Sequence, residues 1–248
     1  MLTHLWSALA VFCLLLAGAG LGVSLRRRMP DHLLDEQAKD VVRLGMGLLS
    51  TIAALVLSLL ISSSYAVYEG QRNDLRVLAA DVINLDATLR LYGEEARPVR
   101  EMMRVGVAET VDRMWSRPTI NRFAEPNSTA EKAYLSILGL VPGNEVQVLL
   151  KARAVQLYGQ IAQSRLRLYE RSEPDLPTSL IVVLAAWMVC LFVSFCLFSP
   201  LKHTSIVALV LVAFSIAAAL FLLLELSEPF SGLVRLSDRP LTQALPPL

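Results

Sequence analysis

Four stretches of the chain contain no Asp, Glu, Lys or Arg and are long enough to cross a membrane. They cover residues 1–25, 44–68, 176–201 and 203–224. A transmembrane helix needs about 20 mainly apolar residues, and backbone groups inside lipid must be hydrogen-bonded within the segment. The pattern therefore predicts four transmembrane helices. The first is predicted to be retained and not cleaved as a signal peptide, because Arg26–Arg28 follow its apolar run instead of preceding it.

The charged residues lie between these stretches. Residues 69–175 form a water-compatible segment, residues 26–43 a short charged linker, and residues 225–248 a C-terminal tail. No stretch alternates with the period of two that is typical of strands. The fold class predicted is therefore an all-α membrane protein, with four transmembrane helices and a helical soluble insert between spans two and three.

An apolar stripe follows the second predicted span without any helix breaker. Its members recur at alternating spacings of three and four residues: Leu75, Leu78, Val82, Leu85, Leu89 and Tyr92. This heptad spacing seats one helix against another, either in the same chain or in a second copy. We expect the second span to continue as one helix to Tyr92. Asp86 and Arg90 are expected to form an i,i+4 ion pair on the solvent-exposed side of this helix.

Three further helices are predicted in the insert, over residues 99–115, 128–138 and 145–170. Gly93 and Pro98 separate the first from the long helix, and Ser128 with Glu131 forms a capping box for the second. One apolar face is predicted on the third, from Leu150, Ala154, Leu157, Ile161 and Leu168.

Composition narrows the function. The chain is 54% hydrophobic and 18% charged. The insert carries as many acidic as basic residues, so nucleic acid is not an expected partner. Cys13, Cys190 and Cys196 all lie in the apolar stretches, which leaves no disulfide framework.

No catalytic motif is present, and the spans hold no ionisable Asp, Glu, Lys or Arg for a proton relay. We therefore expect neither an enzyme nor a charge-coupled carrier, and no cofactor. His32, Glu36 and Asp40 repeat every four residues, but we expect a solvated linker helix there and no metal site.

The second span has the most informative face. Small and hydroxylated residues recur along it: Ser50, Thr51, Ala54, Ser58 and Ser62. Such a face either packs closely against neighbouring helices or lines a narrow aqueous path where several copies meet. Gly18, Gly20 and Gly22 in the first span are expected to serve packing only.

The tail that follows the fourth span is more organised than a frayed end requires. Its motif comprises Glu225, Glu228, Pro229, Phe230 and Gly232. Either the helix simply stops there with its charges at the interface, or the tail docks against the soluble helices.

Orientation follows from basic residues in the short linkers. The linker between the first two spans carries five of them, and Lys202 lies between the last two. By the positive-inside rule these linkers are cytoplasmic, and the central segment is extracytoplasmic. A wider count, of seven basic residues against six, points the other way.

Three segments together resemble the bestrophin-like domain family, bacterial membrane proteins of uncharacterised function. Residues 40–48 read DVVRLGMGL, residues 165–168 read RLRL ahead of Leu176 and Pro177, and residues 225–232 read ELSEPFSG, in which Ser227 stands where we expect an acid. The resemblance implies a distant relation to bestrophins, pentameric anion channels whose second span lines the pore. It also implies a cytoplasmic central segment, opposite to the charge count.

The leading hypothesis is an oligomeric passive ion channel in the bacterial inner membrane, with anions as the favoured ions. The alternative is a non-conducting scaffold whose soluble helices bind a protein partner. The lipid bilayer and further copies of the chain are the expected partners, and a protein partner at the soluble helices is the further possibility that the alternative requires.

Overall fold

The computed structural model describes residues 2–28, 36–116, 128–170, 178–198, 203–226, 230 and 235–244. Its α-helices are α1 (Leu2–Arg28), α2 (Glu36–Tyr92), α3 (Arg97–Ser116), α4 (Ser128–Leu138), α5 (Glu145–Glu170), α6 (Thr178–Phe198), α7 (His203–Leu226) and α8 (Arg239–Thr242). A short 3₁₀ turn, Glu94–Ala96, joins α2 to α3. The described residues contain no strand. The prediction of an all-α membrane protein is confirmed, since α1, α2, α6 and α7 are each long and apolar enough to cross a membrane.

The chain divides into two compact units. The membrane unit comprises Met1–Ala66 and Asp175–Ser227, and the soluble unit comprises Val67–Pro174 and Glu228–Leu248. Helix α2 contributes its first half to one unit and its second half to the other, so the expectation of one continuous helix to Tyr92 is confirmed.

Within the membrane unit, α1 packs closely on α6 at two glycines. A Cβ added at Gly22 would overlap the carbonyl oxygen of Val193 and lie 2.9 Å from the Cβ of Cys196. One added at Gly18 would lie 3.1 Å from Val189. Gly20 has nothing within 4 Å, so the expectation that it shares this packing face is wrong. Two residues turn a helix by about 200°, which puts Gly20 on the other side.

The core of the soluble unit is built on the heptad stripe of α2. All six stripe residues are buried there, together with residues of α3 and α5 such as Met103, Leu157 and Leu168. The stripe therefore packs within its own chain. The predicted face of α5 is confirmed at Ala154, Leu157, Ile161 and Leu168, whereas Leu150 is only partly buried and Ser164 joins the buried set.

The pairing predicted between Asp86 and Arg90 is wrong. Asp86 is buried, and its carboxylate accepts two hydrogen bonds from Arg100 of α3, at 2.8 and 3.0 Å. Arg90 is exposed. Asp86 follows Leu85 on the side of α2 that packs against α3, so a tertiary partner replaces the local one. Hydrogen bonding to Asp86 raises the pKa of the Arg100 guanidinium.

Two polar side chains close the connection between α4 and α5. The backbone N–H of Gln147 donates to Asn144 Oδ1 at 2.8 Å, and Gln147 Oε1 accepts from the N–H of Gly143 at 2.6 Å. These reciprocal bonds satisfy two donors at the start of α5. Gln147 Nε2 also donates to the carbonyl oxygen of Tyr92 at 2.9 Å, which ties the start of α5 to the end of α2.

The tail is docked in the soluble unit. Phe230, Leu236, Leu241 and Ala244 are all buried in its core. The structure therefore agrees with the second interpretation, in which the tail docks against the soluble helices. Glu228, Pro229 and Gly232 of the tail motif lie outside the described residues.

Candidate pore-lining face of the second transmembrane helix

The fully buried residues of α2 within the membrane unit lie on one narrow face of the helix. Ala53, Leu60 and Ser64 are its buried residues between positions 44 and 66. With 3.6 residues per turn, these three positions fall within an arc of about 40°. Ala53 and Leu60 join a core formed with α1, α6 and α7, in which Leu15, Leu184 and Leu220 are also buried. Val56, Leu57 and Ile61 flank this arc and are partly buried against the same core. The opposite side of the helix is available to lipid or to other copies.

Three of the five predicted pore-lining residues point away from this packed face. Thr51, Ser58 and Ser62 are exposed in the single chain. They lie about 140–180° around the helix from the centre of the packed arc. No other part of the described membrane unit covers them.

The other two predicted residues point elsewhere. Ser50 and Ala54 are exposed as well, but they line a groove between α2, α6 and α7 with a volume of about 730 Å³. Each step of four residues turns a helix by about 40°, so Ser50 and Ser62 point about 120° apart. The structure therefore divides the four-residue stripe into a groove-lining part and an outward part.

Leucines missing from the prediction share the outward direction. Leu44, Leu48 and Leu55 are exposed and lie on the same side of α2 as Thr51, Ser58 and Ser62. We call these six residues the outward face of α2. Their spacings are four, three, four, three and four, which is a heptad repeat. The sequence contains this heptad spacing, but the prediction followed the four-residue recurrence of small and hydroxylated residues instead.

The hydroxyl groups of the outward face differ in what they can bind. Thr51 Oγ1 donates to the carbonyl oxygen of Gly47 at 2.9 Å, so its proton is already used. In the described part of the chain, no hydrogen bond engages the hydroxyls of Ser58 and Ser62. A hydroxyl proton that is not committed can donate to an anion. The outward face carries no carboxylate that would repel one.

Among the remaining sequence candidates, those that the structure describes lie apart from the outward face of α2. Glu225 lies fully buried near the end of α7 in the membrane unit, and Phe230 packs in the soluble unit. His32 lies outside the described residues. Asp40 is exposed, and its carboxylate lies 3.7 Å from the guanidinium of Arg43, which is also exposed.

The soluble unit exposes an apolar patch at one end. It comprises Leu91, Val141, Val146 and Leu149, all of which are well exposed. The hydrogen bond from Gln147 to Tyr92 brings the start of α5, which carries Val146 and Leu149, beside the end of α2, which carries Leu91. Patches of this kind are typical of protein-binding surfaces.

These features define a class of protein: a helical membrane protein whose second span exposes a heptad face and continues into a soluble helical unit. The bestrophin-like domain model matches residues 12–241, and the chain belongs to that family. A comparison with curated proteins finds no match.

Solved structures share the fold. A variant of a bacterial bestrophin homologue from Klebsiella pneumoniae is 16% identical, with a TM-score of 0.69 over 97% of this chain and 93% of that one. Another variant of that homologue is 18% identical, with a TM-score of 0.65 over 94% and 97%. A structure described as a membrane protein is 16% identical, with a TM-score of 0.67 over 94% and 95%. At these identities the likeness concerns the fold.

Proposed function

We propose that several copies of this chain surround a passive ion path lined by the outward face of α2, with anions as the favoured ions. The observation that carries the proposal is the exposure of a heptad face on a transmembrane helix. Only 11% of the apolar window of α2 is buried inside the single chain, against 28% for α6. A heptad repeat allows parallel helices to pack around a common axis.

The chemistry of the outward face suits a weakly selective anion path. Ser58 and Ser62 supply hydroxyl donors, and no fixed negative charge lies on the face. Rings of leucine between hydroxyl rings would form apolar constrictions, which close by losing water. Leu48 and Leu55 are the residues for that role. The protein would act in the bacterial inner membrane, without catalysis and without a cofactor.

The experiment is thiol accessibility during electrical recording. Single cysteines replace Thr51, Leu55, Ser58 or Ser62 in protein whose native cysteines are removed, reconstituted in planar bilayers. A negatively charged thiosulfonate reagent should reduce the current through each variant. Ser215→Cys is the matched control, because Ser215 is an exposed serine of α7 whose hydroxyl donates to the carbonyl of Leu211.

Two outcomes contradict the proposal. One is the absence of current from the unmodified protein under any ion gradient or voltage. The other is equal inhibition at Ser215 and Ser58, which would place the path elsewhere or show a non-specific effect. Ser58→Leu adds a further check: it should abolish current while the melting temperature stays close to that of the parent.

The second candidate function is a membrane scaffold, and the apolar patch at Leu91, Val141, Val146 and Leu149 favours it. In that case the patch binds a protein partner and the outward face of α2 contacts lipid. Replacing Leu91 and Leu149 with Glu should then release the partner from affinity-purified protein. The same variant should leave the current unchanged if the channel proposal holds.

A further inference from the structure

The groove between α2, α6 and α7 is distinct from the outward face and has its own chemistry. It has a volume of about 730 Å³ and lies entirely within the membrane unit. One end is polar, with Arg43 of α2 and with Thr204 and Ser205 of α7. Apart from Ser50, the rest of its lining is mainly apolar, and aliphatic residues such as Leu57 and Ile216 lie towards the other end.

The dimensions of the groove match one leaflet of a bilayer. Arg43 and Leu57 are 14 residues apart on α2, which is about 21 Å along the helix axis. Half of the ~30 Å hydrocarbon core is about 15 Å, and the head group lies beyond it. A groove that begins at a guanidinium group and continues for this distance along mainly apolar walls therefore has the depth of one lipid molecule.

The charge of the groove is complementary to a phosphate. Arg43 is the one ionised residue among the described residues that line it. Its guanidinium lies 3.7 Å from Asp40, beyond hydrogen-bonding distance, and its side chain is exposed. Arg43 can therefore offer a planar pair of donors to an anionic head group, the geometry that suits phosphate.

We propose that this groove binds a phospholipid, with the phosphate at Arg43, Thr204 and Ser205 and an acyl chain between α2, α6 and α7. The observations together favour this occupant: location in the spanning unit, a polar-to-apolar gradient, length and charge. A peptide segment would bring backbone N–H and C=O groups that the apolar walls leave unsatisfied, whereas an acyl chain brings none. The proposal is independent of ion conduction.

The test measures lipid retained by the full-length protein in a mild detergent, by native mass spectrometry and lipid extraction. Ala208 lines the groove on α7, and Ala208→Phe should fill it. Val207→Phe is the matched control, because Val207 is exposed on the same helix and does not line the groove. We expect the parent protein and Val207→Phe to retain a phospholipid, and Ala208→Phe to lose most of it.

Arg43→Gln tests the head-group contact. After delipidation, phosphatidylglycerol and phosphatidylcholine are added back separately. The parent protein should prefer phosphatidylglycerol, and Arg43→Gln should lower that preference about fivefold, as expected for one basic residue near anionic lipid. Arg43→Lys should restore part of it.

Three results would overturn the proposal. Equal loss of lipid from Val207→Phe and Ala208→Phe would show annular lipid without a site. Full retention by Ala208→Phe would show that the groove is not the place of binding. A change of oligomer mass in Ala208→Phe without any loss of lipid would show that a second copy of the chain fills the groove. None of these measurements depends on current, so the lipid site is tested separately from ion conduction.

Discussion

The ring of Phe230 meets the ring of Trp115 edge to face, with centroids 5.6 Å apart and an interplanar angle of 85°. Trp115 Nε1 donates to the carbonyl oxygen of Leu236 at 2.8 Å. Trp115 of α3 thus holds the tail through one aromatic contact and one hydrogen bond. The two tail residues, Phe230 and Leu236, lie 115 and 121 positions further along the chain. Edge-to-face pairs stabilise beyond the area they bury.

Phe230→Ala should lower the stability of the soluble unit by about 3–5 kcal/mol, because it removes a buried ring and leaves a cavity. Trp115→Phe should cost about 1 kcal/mol through loss of the hydrogen bond to Leu236. The melting temperature of the full chain in detergent measures both, at about 2–4 °C per kcal/mol. Leu91→Ala, at an exposed position, is the control. Equal melting temperatures for Phe230→Ala and Leu91→Ala would show that the tail does not dock in solution.

Gly22→Ala should destabilise the membrane unit by about 1–3 kcal/mol, because the added methyl group meets the backbone of α6 at Val193. Gly20→Ala should leave stability unchanged or slightly higher, since its Cβ would have nothing within 4 Å. Both variants are compared by thermal melting in the same detergent. A loss of equal size in the two would contradict the close approach of α1 and α6 at Gly22.

Removing one partner of the Asp86–Arg100 pair should cost more than removing both. Asp86→Leu leaves a guanidinium that is largely buried, which typically costs about 3–5 kcal/mol, whereas an apolar replacement of the whole pair is often neutral. Asp86→Leu combined with Arg100→Met should therefore recover most of the loss. The exposed pair of Arg97 and Glu101 is the control, and Glu101→Ala should cost no more than about 1 kcal/mol. Additive losses in the double variant would show that the two groups act independently.

Orientation is tested by labelling single cysteines with an impermeant reagent in intact cells. Val141 is 85% exposed in the soluble unit, and Asp40 is exposed at the start of α2. The basic residues of the short linkers predict that Val141→Cys reacts and Asp40→Cys does not. Reaction at Asp40→Cys alone would reverse the orientation and place the soluble unit in the cytoplasm, as the family resemblance implies.

Much of the fold could be predicted from local pattern. Four uncharged stretches predict four transmembrane helices, because backbone groups without hydrogen bonds and unpaired charges are both costly inside lipid. The limits of α4 and α5 follow from capping and turn residues, and the buried stripe of α2 follows from its heptad spacing. Each of these depends on residues within a few turns of one another.

Partner choice could not be predicted in the same way. Arg90 lies one helical turn from Asp86, yet Asp86 binds Arg100. The reason is that Asp86 is buried beside α3, where the side chain of Arg100 is buried as well, whereas Arg90 is exposed. Gly18, Gly20 and Gly22 look equivalent in the sequence, and only the position of α6 separates Gly20 from the other two.

For the candidate site, the sequence by itself determined the hydroxyl-bearing character of the second span, and the tertiary structure decided which of these residues share a direction. The packed arc at Ala53, Leu60 and Ser64 sets that reference direction, and it assigns Ser50 to the lipid-sized groove and Ser58 and Ser62 to the outward face. The physical reason is the helix period. Residues four apart point about 40° away from one another around the helix, and only the contacts with α6 and α7 show which direction faces the rest of the membrane unit.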